Sequence, residues 1–267
     1  MTAIQRYNVD MMSTATAHPD AHSHSSFQYT AHRPWPLPAG RWTWRQSWRD
    51  LLFAHWPVAV EAVQALLPAG LVVDTFEGQA WLGIVPFRMA GVMHRPLPDL
   101  PYVSAFPELN VRVYVTDGSK PGVWFLSLDA TNRLAVMAAR ALFHLPYYRA
   151  RMEVIPDGEG IIYRSHRLDK TGGQTVPAAF EGSYRPVSAV YAAAPGTLEH
   201  FLTERYCLYA QGPDGGLRRT EVHHRPWPLQ RAEAEITTHS MSAAGGLPVS
   251  GPPALLHFAR RIDVVVW

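Results

Sequence analysis

Phe106-Pro107-Glu108-Leu109-Asn110-Val111-Arg112-Val113-Tyr114-Val115-Thr116 is the run from which the fold is read. Side chains alternate across a strand, so Glu108, Asn110, Arg112 and Tyr114 share one face, and Leu109, Val111, Val113 and Val115 the other. The polar face either lines a barrel interior or meets solvent. Asp117-Gly118-Ser119-Lys120-Pro121-Gly122 is a turn, and Val123–Leu128 returns as the partner strand. One register sets Ser127 and Asp129 beside the polar face; a slip of one residue sets Leu126 and Leu128 there instead.

Upstream, Trp42, Trp44, Gln46 and Trp48 alternate with Thr43, Arg45, Ser47 and Arg49, which again predicts a strand. Pro57 is expected to open a helix bearing Val58, Val60, Val63, Leu66 and Leu67, closed by Pro68-Ala69-Gly70. Strands are expected at Leu71–Phe76 and Ala80–Met89, with Pro86 marking an edge or a bulge. Downstream, strands are expected at Arg151–Ile155, Gly160–Arg167, Ala178–Tyr184, Leu217–His223, Ala232–Thr238 and Ile262–Trp267, interrupted by a helix around Thr197–Glu204. The pattern is mostly β, an α+β chain with three short helices. Residues 1 to about 30 read as a flexible tail, and 31–267 as one domain. His32-Arg33-Pro34-Trp35-Pro36-Leu37 recurs as His224-Arg225-Pro226-Trp227-Pro228-Leu229. Two such rigid segments either pack together or flank one opening.

Of the 267 residues, 17% are charged and 47% apolar, and the net charge is +2, which gives no reason to expect nucleic acid or a membrane as partner. No uncharged apolar run is long enough to span a bilayer, so the cytoplasm is the default expectation. Cys207 is the single cysteine, which excludes an internal disulfide and a cysteine-rich zinc site. His18, His22 and His24 have only loose metal-ligand spacing, and His223-His224 lacks a third ligand. No glycine-rich phosphate loop or nucleophile elbow occurs, so neither metal nor cofactor is expected.

The chemistry concentrates near Ala139-Arg140-Ala141-Leu142-Phe143-His144-Leu145-Pro146-Tyr147-Tyr148. A helix capped by Thr131 or Asn132 runs to about Phe143, and Pro146 stops it. Leu134, Met137, Ala138, Ala141 and Leu145 are its expected core stripe, with Arg133, Arg140 and His144 bordering it. Such a cationic border suits an anion, or consists of arginines snorkelling over the core. His55, before the first helix, is a further candidate for lining a pocket.

Five segments together resemble one family: Leu66-Leu67-Pro68-Ala69-Gly70-Leu71, Val85-Pro86-Phe87, Phe106 to Arg112, Ser127-Leu128-Asp129-Ala130 and Leu145-Pro146-Tyr147-Tyr148. The set resembles the YqjF-like family of bacterial proteins, itself similar to the acetoacetate decarboxylase superfamily, and the likeness runs from His32 to Trp267. It implies a cone-shaped, partly open antiparallel β-barrel with flanking helices and an internal small-molecule pocket. It also implies that Glu108 matches the decarboxylases' strand glutamate and Arg140 their helix arginine. Pro146-Tyr147-Tyr148 stands where they carry Pro-Lys-Lys, so the imine-forming lysine is expected to be missing. Their second glutamate has no match in Ile84–Arg88, and Arg45 and Arg49 are the candidates for their carboxylate-binding arginine. The only lysines, Lys120 and Lys170, lie in segments expected to be solvated.

Three readings follow. In the first, the pocket binds a small apolar, carbonyl or carboxylate ligand without imine chemistry, using Arg140, Arg112, Asn110 and His55. In the second, the chain is a lysine-independent lyase-like enzyme: Glu108 is the acid/base, Tyr147 or Tyr148 a proton or hydrogen-bond donor, and Arg140 the anion anchor. In the third, the same residues are purely structural. Assembly into a homo-oligomer is compatible with each.

Overall fold

A computed structural model describes residues 24–96, 104–169 and 178–267. Twelve strands form: β1 (Trp44–Val58), β2 (Val72–Val73), β3 (Ala80–His94), β4 (Phe106–Thr116), β5 (Pro121–Ala130), β6 (Tyr147–Asp157), β7 (Gly160–Arg167), β8 (Ala179–Pro186), β9 (Cys207–Gln211), β10 (Leu217–His224), β11 (Gln230–His239) and β12 (Leu255–Val266). The three expected helices are α1 (Val60–Gln64), α2 (Arg133–Phe143) and α3 (Leu198–Thr203), and α4 (Met241–Ala244) adds a single turn. No helix among the described residues is long and apolar enough to cross a membrane.

Nine strands close a barrel in the order β5-β6-β7-β8-β11-β12-β1-β3-β4 and back to β5. A shorter circuit through β9 and β10 also links β5 to β12. Both circuits share β5, β4, β3, β1 and β12, and β4, in the middle of the shared wall, is buried on both faces. Leu109, Val111 and Val113 pack into one apolar core with Tyr163 and Phe180. The opposite face looks toward a second core containing Val85, Phe87, Leu128, Val222 and Trp227. The polar face of β4 therefore lines an interior.

Three irregularities keep that second interior lined. Between Arg49 and Ala54, β1 carries one more residue than β3, and Asp50 sits there at φ 49°. The bulge switches which residues face inward, from Trp44 and Trp48 before it to Leu51 and Phe53 after it. Arg88 and Arg260 hold the Asp50 carboxylate. Gly91, at φ 58°, does the same for β3 between Met89 and Val92, in a conformation that glycine adopts without a Cβ penalty. On β5, the pairing skips Leu126 between Val111↔Ser127 and Arg112↔Phe125. Pro86 fits because the β1 bulge leaves it no β1 partner, while it pairs with Leu109 of β4.

Several expectations are corrected. Pro57 lies inside β1 opposite Trp81, and the helix begins only at Val60, because the strand stays paired through Val58. The Leu71–Phe76 strand shrinks to Val72–Val73. On α2, Met137 and Ala141 are exposed and Val136 is buried instead, so the face turned inward is not the expected one; the side chains of Leu134 and Ala138 lie outside the described residues. Within the stretch read as a tail, Ser25–Gln28 form a 3-10 turn, with Phe27 stacked on His223 and Ser26 buried; residues 1–23 lie outside the described residues. His18 and His22 lie outside the described residues. The two His-Arg-Pro-Trp-Pro-Leu segments pack together, His32 Nε2 meeting the His224 carbonyl at 2.9 Å.

Gly122 marks where β5 meets β9. A Cβ there would sit 2.7 Å from Cys207 Sγ and 2.8 Å from the Cys207 carbonyl oxygen. Gly122→Ala is expected to cost about 1–3 kcal/mol, the usual cost of overpacking. Urea denaturation checks this, and an unchanged midpoint would refute the tight junction.

Candidate functional site

The β4–β5 register matches the second alternative at Leu128 and departs from it at Leu126: Glu108 pairs with Ala130, Asn110 with Leu128 and Arg112 with Phe125, while Leu126 is skipped and packs on the other core, which Ser127 and Asp129 also face. β6 then runs parallel to β5 with Tyr147 beside Leu128. Because Ala130 is small, Tyr147 can reach across β5, and its hydroxyl donates to Glu108 Oε2 at 2.7 Å. The turn that presents Tyr147 follows from its sequence. His144 takes a left-handed conformation at φ 52°, Pro146 ends the helix, and Arg140 Nε donates to the Tyr147 carbonyl at 2.7 Å.

Glu108, Leu128 and Tyr147 line a cavity of about 170 Å³. Its walls are largely apolar, including Trp48, Val85, Phe87, Phe125 and Trp227. Glu108 is 2% exposed, and among the described residues Tyr147 alone hydrogen-bonds its carboxyl. Burial raises the Glu108 pKa to about 8, against the Tyr147 bond, and the nearby Asp129 carboxylate adds to the rise. The same burial and the Glu108 charge push the Tyr147 hydroxyl far above its ordinary value. At neutral pH the pair is a neutral acid and a neutral phenol.

Further along β4, Asn110 and Arg112 line the cavity too, and the Asn110 Oδ1 is buried without a partner. Arg112 is buried, with Nε donating to the Tyr114 hydroxyl and Nη2 to the Leu202 carbonyl, both at 3.3 Å. Arg205, from the turn after α3, reaches the same wall and pairs with Asp74 at 2.5 Å. Arg205 carries no signal in the sequence: it directly follows the helix expected around Thr197–Glu204, and only the fold brings it to this wall. Cys207 also lines the cavity, and burial raises its thiol to about 11, so it is a packed, unreactive group.

Of the seven candidates, Glu108, Asn110, Arg112 and Tyr147 converge; Tyr148, Arg140 and His55 do not. Tyr148 follows Tyr147 on a strand and so faces the other way, where the Arg167 guanidinium lies 3.9 Å from its ring centroid. Arg140 is drawn outward to Asp169 at 2.8 Å and cannot serve as an internal anion anchor. His55 is fully buried behind the cavity wall, with Nε2 2.6 Å from the Tyr114 hydroxyl. Arg45 and Arg49 alternate with the cavity-facing Trp44, Gln46 and Trp48 and so face away. Lys120 is buried rather than solvated, and it is paired with Glu221 at 2.9 Å. Lys170 lies outside the described residues, and among those described no lysine lines the cavity.

A closed strand barrel of this form is the fold of the acetoacetate decarboxylase-like enzymes. One such enzyme from Sphingomonas wittichii RW1 is similar at a TM-score of 0.55 and 15% identity, over 89% of this chain and 96% of that one. The acetoacetate decarboxylase of Legionella pneumophila subsp. pneumophila str. Philadelphia 1 is similar at 0.54 and 15%, over 88% and 90%. The enduracididine biosynthesis enzyme MppR, complexed with pyruvate, is similar at 0.55 and 12%, over 88% and 91%. Identities this low carry the fold alone. The chain belongs to the DUF2071 family, described as an uncharacterized conserved protein, which matches residues 45–263. Within reach of it lies the uncharacterized protein YqjF of Bacillus subtilis (strain 168), 46% identical over 231 residues, covering 86% of this chain and 93% of that protein.

Proposed function

We propose that the cavity binds a small apolar molecule bearing a carbonyl or carboxyl group, without imine chemistry. The observation that carries this reading is the neutral Glu108 carboxyl, buried in an apolar cavity with Tyr147 bonded to one oxygen. Its other oxygen is free to donate a hydrogen bond to a ligand oxygen. An apolar cavity with few polar groups is what such a ligand requires. Binding of pyruvate by MppR, within a similar fold, supports the ligand class. The absence of a lysine among the described lining residues supports a non-covalent contact.

Titration of the full chain with octan-2-one, followed by calorimetry, tests this. Saturable binding is expected below pH 8, weakening as pH rises through about 8, because ionised Glu108 no longer donates. Affinity constant from pH 6.5 to 9.5 would remove Glu108 from the contact. No binding by octan-2-one or a panel of short ketones and acids would sink the reading itself.

A second reading is favoured by one observation: a carboxyl that ionises near pH 8 is placed to move a proton at neutral pH. Glu108 would then exchange a hydrogen on the carbon beside the bound carbonyl. Deuterium wash-in to the ketone, seen by NMR and lost in Glu108→Gln, is the expected result of that reading; no exchange above the buffer rate would leave binding alone.

A further inference from the structure

Resting on the proposed ligand cavity, we infer that Arg112 and Arg205 form an anion subsite at the end opposite Glu108 and Tyr147, so that the ligand is a singly charged oxo acid with an apolar body. Charge and unmet hydrogen bonds lead to this. Two guanidinium groups line the same cavity, and both lie against one ring, their central carbons 5.5 Å and 5.1 Å from the Tyr114 centroid. Only one carboxylate, Asp74, is paired with them among the described residues, and it holds Arg205. Arg112 bonds two neutral oxygens and has no ion pair among those residues.

The other ionisable groups on the cavity wall supply no compensating charge. Glu108 is neutral below about pH 8, His224 is held neutral by burial, and Cys207 and Tyr147 keep their protons. Behind the wall, His55 is kept neutral by burial and by Arg112 itself. Among the groups lining the cavity one positive charge is therefore left without an ion-pair partner, a costly arrangement unless an anion meets it. Among the described residues Arg205 Nη2 is buried with no hydrogen-bond partner, so one of its donors is unmet. A carboxylate carries the single negative charge that the balance calls for and accepts planar guanidinium donors well.

Geometry sets the ligand's length. Glu108 and Arg112 are four residues apart on one strand face, about 13 Å between α-carbons at the usual rise. Asn110 lies between them on that face, with an unpartnered Oδ1. A short acid such as pyruvate reaches one end at a time; an oxo acid with several methylenes reaches both.

The test compares octan-2-one with 7-oxooctanoate on the full chain at pH 7 by calorimetry, the two compounds differing by the carboxylate. At least ten-fold tighter binding of the oxo acid is expected, and pyruvate is expected to bind more weakly than either. In Arg112→Met the advantage of the oxo acid over the ketone, each measured on the variant, is expected to shrink to less than three-fold. Equal affinity of the two compounds for the unmodified protein overturns the subsite but leaves the cavity reading standing. Failure of both to bind overturns the cavity reading and the subsite with it. Because the matched pair is measured on the unmodified chain, the result stands even if Arg112→Met does not fold.

Discussion

Glu108→Gln is expected to make the protein more stable at pH 8 and to leave it unchanged at pH 4. The sign follows from proton binding. The unfolded carboxyl ionises near its ordinary 4.5, whereas the folded one holds its proton to about 8. Between those values the folded state binds more protons than the unfolded state, so stability falls as pH rises. Below about 4.5 both states are protonated and there is no penalty; above about 8 the penalty is complete. The rise from 4.5 to about 8 sets a ceiling of about 5 kcal/mol at pH 8, at about 1.4 kcal/mol per decade of binding constant. Glutamine keeps an acceptor for Tyr147 and a donor for the cavity, but has nothing to ionise. Urea denaturation at pH 4, 6.5 and 8 measures the difference. A gap that is the same at all three would show that Glu108 ionises normally in the folded state.

Arg167→Met is expected to destabilise the fold by about 3–5 kcal/mol, the usual consequence of stranding a buried charge. Asp129 is fully buried, and the Arg167 guanidinium grips it with contacts of 2.6 to 3.2 Å. The pair lies on the far side of the β5 wall from Glu108 and joins β5 to β7. With the arginine gone, Asp129 folds more easily as the neutral acid, so the loss is expected to be smaller at pH 5 than at pH 8. Asp129→Asn combined with Arg167→Met should recover part of the stability. Equal stability of Arg167→Met and the unmodified chain at pH 8 would show that solvent reaches the carboxylate.

Much of this was legible in the sequence where a pattern repeats over a long element. The eleven-residue alternation of β4 placed Glu108, Asn110 and Arg112 on one face, and that face lines the cavity. The family resemblance brought Tyr147 and Tyr148 to the same site without choosing between them, and Tyr147 is the one whose hydroxyl meets Glu108. What escaped depended on neighbours distant in sequence. Arg140 and His144 share a helical stripe, yet Arg140 turns to Asp169, whose position no local pattern reveals. Tyr148 stands next to Tyr147 in the resembling segment, but one residue along a strand reverses the face, and His55 lies within β1 rather than at the start of a helix, behind the wall. The hairpin register could not be chosen beforehand because both alternatives carry good strand residues, and the pairing skips Leu126. Arg205 enters only because α3 and the following turn fold back against Tyr114.

β4 belongs to two interiors at once, and its two residue parities answer to different demands. Leu109, Val111 and Val113 secure the scaffold, while Glu108, Asn110 and Arg112 meet whatever occupies the cavity. On the proposed binding role, exchanges at the even positions are expected to retune ligand preference while the odd positions preserve the barrel. A lineage sharing this wall is free to drift in chemistry without refounding its architecture, and libraries aimed at new ligands belong at those alternate sites.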